Sequence, residues 1–147
     1  MKISTKGRYG TRFMVRLALA GPDSTCTLKD IAQDEAMSEK YLWQIAKSLK
    51  DAGLIHAAAG AHGGYRLVRA PAAVTLGEML AALEGDLSLV ECTVSPSRCR
   101  RSSECVVRAV WTEVSLKFRE ILDGIRLSDL VDRYHESVRE RQTDYVI

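Results

Sequence analysis

Residues 27–53, TLKDIAQDEAMSEKYLWQIAKSLKDAG, hold two helix signals with almost nothing between them. Thr27 can cap a short helix over Leu28–Glu35, with Asp30 three residues on as its acidic partner. Ser38 is the next cap candidate and opens a longer helix to about Ala52, with Leu42, Ile45 and Leu49 on the inner face. Gly53 then suits the left-handed position past a helix end. A short helix, a tight turn at Ala36–Met37 and a second helix form the helix-turn-helix pattern. The outward side of the second helix shows Lys40, Tyr41, Gln44, Lys47 and Ser48, groups of the kind that reach base edges and phosphates. Any solvated helix hairpin would show the same pattern on its own, so the flanking sequence has to decide.

Downstream, Leu54–Ala58 reads as a short strand, Ala59–Gly64 as a glycine-rich turn, and Tyr65–Arg69 as a half-buried strand that alternates apolar and basic residues. A hairpin directly after a helix-turn-helix is a wing, and its small tip residues allow close backbone approach to a phosphate. His62 sits at that tip. Upstream, residues 8–20 read as a helix whose apolar stripe is Gly10, Phe13, Met14, Leu17 and Ala18, with Arg8, Arg12 and Arg16 on another side. Thr75 caps a helix over Leu76–Glu84, with Glu78 at the capping-box position. Residues 85–104 read as a long irregular loop, and such loops are functional or disordered. A long helix follows from about Glu104 to Ile125, where Val107, Trp111, Val114, Phe118, Ile121 and Ile125 form a heptad-type seam. A small domain struggles to cover that stripe alone, which predicts a dimer helix; packing on the first helix is the competing use. Ser128 is expected to cap a last helix to about Arg141, leaving a tail.

The chain has 147 residues with 46% apolar and 27% charged, which excludes disorder and low complexity and suffices for one core. No run approaches a membrane span of about 18 apolar residues. The basic start (Lys2, Lys6, Arg8, Arg12, Arg16) imitates a secretory signal, but Arg16 cuts the apolar stretch short, so a cytoplasmic location is expected. Residues 1–70 carry 11 Lys and Arg against 6 Asp and Glu, a net +5, and the remainder carries 10 against 13, a net −3. A basic front half fits a polyanion-binding surface.

Cys92, Cys99 and Cys105 are spaced Cys-x6-Cys-x5-Cys, and Arg98, Arg100 and Arg101 flank the middle one. Cations favour the thiolate, the form that binds metal or reacts. The spacing is neither a zinc ribbon nor a two-cysteine redox motif, and it suits an iron–sulfur cluster better than one ion. Zinc, redox-active thiols and inert cysteines stay open on spacing alone. Cys26 reads as structural. No general base is matched to a nucleophile, so no enzyme and no small-molecule substrate are expected.

Taken in order, MKISTKGRYGTR, LKDIAQDEAMSEKYLWQI, LKDAGLI, GAHGGYRL, VTLGEMLAALEG and LVEC before the three cysteines resemble the IscR/NsrR/RirA/CymR group, the Rrf-two family of dimeric winged-helix regulators. The resemblance spans nearly the whole chain. It implies a mainly α fold with a small β-hairpin: a winged helix-turn-helix plus a long dimerisation helix. The implied organisation is a DNA-binding domain over 1–85, a cysteine-bearing sensor loop over 86–104, the dimerisation and last helices over 105–141, and a tail over 142–147. It further implies a homodimeric transcription factor, usually a repressor, on a pseudo-palindromic double-stranded DNA operator, without a membrane partner. The DNA-contact candidates are then Ser38, Lys40, Tyr41, Gln44 and Lys47 on the helix and His62, Gly63 and Gly64 in the wing. Cys92, Cys99 and Cys105 match the cluster cysteines of the sensing branch, for a 2Fe–2S or 4Fe–4S group; the CymR-like branch lacks that trio. The signal would be redox state, nitric oxide or iron supply. A metal-free thiol switch on the same scaffold is the alternative. Two positions depart from the pattern: IscR-like members have a fourth-ligand His where this chain has Arg108, and NsrR-like members an acidic residue where it has Arg8. Where IscR-like members often carry a Glu in the recognition helix, this chain has Trp43.

Overall fold

The structure, a computed structural model, describes residues 3–144. Helix α1 (Thr5–Ala20) starts three residues earlier than its apolar stripe predicts, because Ser4 caps it by accepting from the Gly7 N–H. The Ser4 N–H and hydroxyl both donate to Glu84 Oε1, at 3.0 and 2.7 Å. A carboxylate at a helix N-terminus also complements the helix dipole. Helices α2 (Leu28–Glu35) and α3 (Glu39–Asp51) follow, capped by Thr27 and Ser38 as expected. Between them Ala36 adopts a left-handed conformation (φ 52°), so the turn is made without glycine.

The wing pairs β1 (Ile55–Ala58) with β2 (Gly64–Leu67) in antiparallel register, Ile55 opposite Leu67 and Ala58 opposite Gly64. A short 3-10 turn, Pro71–Ala73, leads to α4 (Leu76–Glu84), whose capping box between Thr75 and Glu78 is complete. The loop expected to be irregular over 85–104 is partly regular. It contains a one-turn helix, α5 (Glu91–Val94), and a 3-10 turn at Pro96–Arg98. Helix α6 (Val106–Gly124) and helix α7 (Leu127–Asp144) complete the chain. Ser128 is not the cap of α7: the helix begins at Leu127, and Asp129 instead accepts from the Arg126 N–H at 2.8 Å. α7 also runs past the expected end at Arg141, and of the expected tail 142–147 the last three residues lie outside the described residues, as does Lys2.

Side chains from α1 (Phe13, Met14, Leu17), α3 (Leu42, Ile45, Leu49), β1 (Ile55) and α4 (Met79, Leu83) form the main core, and Leu127 of α7 closes it. Leu80, Leu87 and Leu122 form a second cluster where α4 meets α6, with Phe118 packed against it. The crossing of α1 and α4 is close because Gly10 faces Leu83: a Cβ there would stand 2.6 Å from Leu83 Cδ2. The α6–α7 corner is tied to the start of α4 by the Leu76 N–H to Ile125 O bond, 2.8 Å, and the Leu127 N–H to Val74 O bond, 2.9 Å. No described helix is long and apolar enough to cross a membrane.

Candidate nucleic-acid interface and cysteine loop

α3 buries Leu42, Ile45, Ala46 and Leu49, a stripe at helical spacing, and so must present its opposite side to solvent. Lys40, Gln44 and Lys47 lie exposed on that side. Ser38 is exposed at the helix start, where its hydroxyl accepts from the Tyr41 N–H at 3.2 Å. Tyr41 is half-buried, its ring set edge-on against Tyr9 with centroids 6.0 Å apart. Ser48 accepts from Lys6 Nζ at 2.8 Å, which ties α1 to α3. Lys47 is engaged as well: its ammonium donates to Asp51 at 2.8 Å, four residues on.

Sequence reasoning left four neighbours of this face, Trp43, Lys50, Tyr65 and Arg66, out of the contact set. Trp43 is 54% exposed on the flank of α3 that turns toward the wing. It lines a cleft with Lys47, Lys50 and Tyr65 of β2. Arg66, exposed on β2, adds a cation to the wing. An exposed tryptophan at a non-core helical position was the available signal for that flank.

The wing tip is shaped by close packing. A Cβ on Gly63 would lie 2.6 Å from Ala58 O, and one on Gly64 (φ 145°) 2.7 Å from Cys26 O. Only glycine fits at either position. His62 is exposed, and its carbonyl accepts from Thr25 Oγ1 at 2.9 Å. Cys26 pairs its backbone with Tyr65 through bonds of 2.9 and 2.8 Å, and burial pushes its thiol pKa up. Its backbone anchors the wing to the segment that leads into α2.

The basic front half is less available than its charge count implies. Arg12 donates to Glu35 through Nε at 2.6 Å, and Arg16 pairs with Asp34 and Glu35. Two of the three α1 arginines therefore clamp α2 and do not form a free cationic surface. Among the described residues of that half, Lys6, Arg8, Lys29, Lys40, Lys50 and Arg66 form no ion pair. Three of these, Lys40, Lys50 and Arg66, stand on α3 and the wing, beside the polar face.

The three loop cysteines are free and half-buried. Cys92 sits in α5, Cys99 follows the 3-10 turn, and Cys105 immediately precedes α6 without a capping side-chain bond. Arg98 pairs with Glu91 at 3.1 Å, while Arg100 and Arg101 are exposed. Arg108, one turn into α6, reaches back into the loop: its Nε donates to Cys92 O at 2.8 Å and its Nη1 to Ser102 O at 3.2 Å. In kind, three thiols among arginines suit a thiolate-bound iron–sulfur group, since soft donors select iron–sulfur chemistry and cations offset its negative charge. In placement, no three His, Cys, Asp or Glu side chains converge on a common point among the described residues. Glu104 and His135, acidic and imidazole donors elsewhere, are both exposed. Arg8 is exposed and interacts locally with Thr5.

The expected seam of α6 is largely uncovered. Val107, Trp111, Val114 and Ile121 are exposed, and Val106, Val110 and Leu116 are exposed beside them. Phe118 and Ile125 are half-buried, turned partly toward their own fold.

Comparison with known proteins agrees with this geometry. The Rrf2 family, described as an iron-dependent transcriptional regulator, matches residues 3–133. The transcriptional regulator CymR of Bacillus subtilis is 38% identical over 146 residues, covering 99% of this chain and all of that one. Its solved structure, described as that of the global cysteine regulator of B. subtilis, superposes with a TM-score of 0.76 over 90% of this chain and 98% of CymR. The solved structure of T. potens IscR gives a TM-score of 0.74 at 34% identity, over 93% of this chain and 90% of that one.

Proposed function

This chain belongs to the Rrf2 family of transcriptional regulators, and from that premise we propose that it is a homodimeric repressor whose operator affinity is set by an iron–sulfur cluster on Cys92, Cys99 and Cys105. It is a DNA-binding regulator and not an enzyme. One observation carries the finer reading. All three half-buried thiols stand on a single tied segment at the N-terminus of α6, the helix that leaves Val107, Trp111, Val114 and Ile121 exposed.

On DNA, α3 enters the major groove with Lys40, Gln44 and Lys47 outward, while the wing brings Gly63, Gly64, His62 and Arg66 to the backbone or the minor groove. Ser38 and Tyr41 stand at the helix start, where they reach phosphate. A second copy covers Val107, Trp111, Val114 and Ile121 of α6 with its own. That packing sets the distance between the two α3 helices, which has to match half-sites about 34–36 Å apart. When bound, the cluster supplies an oxidant- and nitric-oxide-sensitive centre. Cys105, at the start of the dimer helix, and Cys92 and Cys99, in the loop, would hold it. The arginines of the loop offset the thiolate charge.

The experiment is anaerobic purification with an absorption spectrum and iron and sulfide assays, followed by operator binding before and after chelation. A brown protein that bleaches on substitution of Cys92, Cys99 or Cys105, and whose operator affinity changes on iron removal, supports the reading. A protein that stays colourless after reconstitution, or equal affinities, overturns it.

A thiol switch is the second reading. The unconverged thiols and the 38% identity to CymR favour it. Peroxide would convert the Cys99 thiol to a sulfenic acid with release of water, and a neighbouring thiol would condense with it to a disulfide, releasing a second water. Colourless protein that peroxide inactivates and dithiol restores is its signature.

A further inference from the structure

We propose that Arg108 is a latch: a positioning residue that holds the cysteine loop closed on α6 through protein contacts alone, before any metal is bound. Its guanidinium spans the loop. Nε takes the carbonyl of Cys92 near the loop's start and Nη1 takes the carbonyl of Ser102 near its end. Two acceptors on neighbouring nitrogens of one planar fork are held a few ångströms apart, whatever the residues between them do. The same residue's backbone carbonyl accepts from Thr112 Oγ1 at 2.8 Å, one turn further along α6. Leu89 N–H reaches Ser115 Oγ at 3.5 Å, a second tie from the loop to the helix.

The side chain is half-buried, and the structure gives it no acidic partner among the described residues. Its charge is therefore spent on backbone carbonyls. Lysine has no fork with which to bridge two carbonyls at fixed spacing, so the position requires arginine. The consequence reaches the mechanism of sensing. If metal ligation alone ordered residues 92–105, loss of metal would free the start of α6. With the latch in place, the segment stays docked, and a change in the thiols acts on a loop that is already folded. This inference rests on the reading of the loop as the sensor, but its geometry does not involve a metal.

The test uses the full chain, stripped of metal by chelation under anaerobic conditions, as parent, Arg108→Ala, Arg108→Lys and Arg119→Ala. Arg119 is exposed on the same helix and controls for lost charge. Amide hydrogen exchange over 92–105 and the rate of thiol modification by a disulfide reagent are read together with the melting temperature. The expected result is exchange roughly tenfold or more faster in the loop for Arg108→Ala, with thiol modification several-fold faster. Arg108→Lys recovers only part of the protection, and Arg119→Ala matches the parent. Exchange over α3 and the wing stays at the parental rate. Parental exchange in the loop of Arg108→Ala overturns the latch, as does full recovery by Arg108→Lys. Should Arg108→Ala unfold as a whole, the loop-specific comparison of Arg108→Lys with Arg119→Ala decides. If the protein takes up no iron on anaerobic reconstitution before chelation, yet the exchange difference persists, the cluster reading fails and the latch stands.

Discussion

Asp51→Asn should tighten DNA binding and make it more sensitive to salt. Asp51 ends α3 on the side that carries Lys40, Gln44 and Lys47, and its carboxylate holds the Lys47 ammonium at 2.8 Å. The hydrogen bond from Lys47 lowers the Asp51 pKa below the ordinary carboxylate value, so the pair is fully charged and net neutral near pH 7. In the proposed dimer, asparagine frees one cation per α3, two in all, and removes an anion from the face placed against the phosphates. Each phosphate neutralised adds about 0.9 to the slope of log K against log salt on B-form DNA, so two freed lysines steepen it by about 1.8. Over the fourfold span from about 50 to about 200 mM salt, that difference changes the ratio of variant to parent affinity roughly twelvefold. The variant's advantage is greatest at low salt. A single engaged lysine would give a change of roughly 3.5-fold, so the slope also counts subunits on the DNA. The assay is fluorescence anisotropy on a labelled operator recovered by in vitro selection, across a salt series. Glu113→Gln is the control, because Glu113 pairs with Lys117 at the same distance and spacing, but on α6. Parallel salt lines for parent and Asp51→Asn would refute the placement of the outer face of α3 against phosphate.

Trp111→Asp should dissociate the dimer: losing a buried apolar side chain costs about 1.5–3 kcal/mol per subunit, counted twice at a two-fold interface. Sedimentation would then show a dimer constant weakened by roughly two to four decades, with an unchanged circular dichroism spectrum because Trp111 belongs to neither core cluster. Gly10→Ala and Gly77→Ala should shift stability in opposite directions. At Gly10 the new methyl meets the buried, branched Leu83, and overpacking of about 1–3 kcal/mol outweighs a helix gain of about 1 kcal/mol. At Gly77 it meets only the carboxylate of exposed Asp123, which can swing away; urea midpoints moving the same way would count against this packing. Glu78 has a lowered pKa, first from the Thr75 N–H and then from the Arg69 guanidinium. A depressed carboxylate contributes stability above its unfolded pKa of about 4.3, lost as pH falls through the folded value. Glu78→Gln should therefore be less stable than the parent at pH 6, with the gap closing toward pH 3; a constant gap would show that the charge is not involved.

What the sequence made legible was whatever is encoded within a turn or two of chain. Helices α2 and α4 fall where Thr27 and Thr75 put them, because their caps and acidic partners lie three residues apart. The buried stripe of α3 follows from spacing alone. Contacts across the fold were not legible. The Ser4 cap that starts α1 is also held by Glu84, eighty residues away. The arginines of α1 read as a free basic face, yet Asp34 and Glu35 neutralise two of them. Helix α5 escaped notice because four residues show no period. The heptad of α6 could not separate Phe118, which turns to its own core, from Trp111, which does not. Trp43 was visible as an unusual residue, but its place beside the wing depended on the hairpin folding back against α3.

The packing also constrains how the cysteine loop can influence DNA binding. The loop joins α6 at its start, and α6 meets the DNA-binding half at its end, through Leu122 against Leu80, with Leu87 from the first residues of the loop packed beside them. There the corner into α7 is hydrogen-bonded to the approach to α4, with Arg126 Nη1 reaching Ala72 O at 2.6 Å besides the two backbone bonds. α4 in turn packs closely on α1, and α3 rests on both. Closely packed elements of this kind move as a body and do not deform individually. A disturbance at Cys92, Cys99 or Cys105 is thus badly placed to rearrange α3 within its own subunit. It is well placed to change how the uncovered side of α6 meets a second copy, because both the loop and the apolar seam belong to the free half of that helix. In a dimer formed through α6, a small change in the crossing of the two helices would alter the separation of the two α3 helices, and operator half-sites tolerate little change in their separation. Control through dimer geometry therefore needs no unfolding of the helix-turn-helix. It also predicts that altering the cysteines leaves the affinity of the protein for a single half-site untouched.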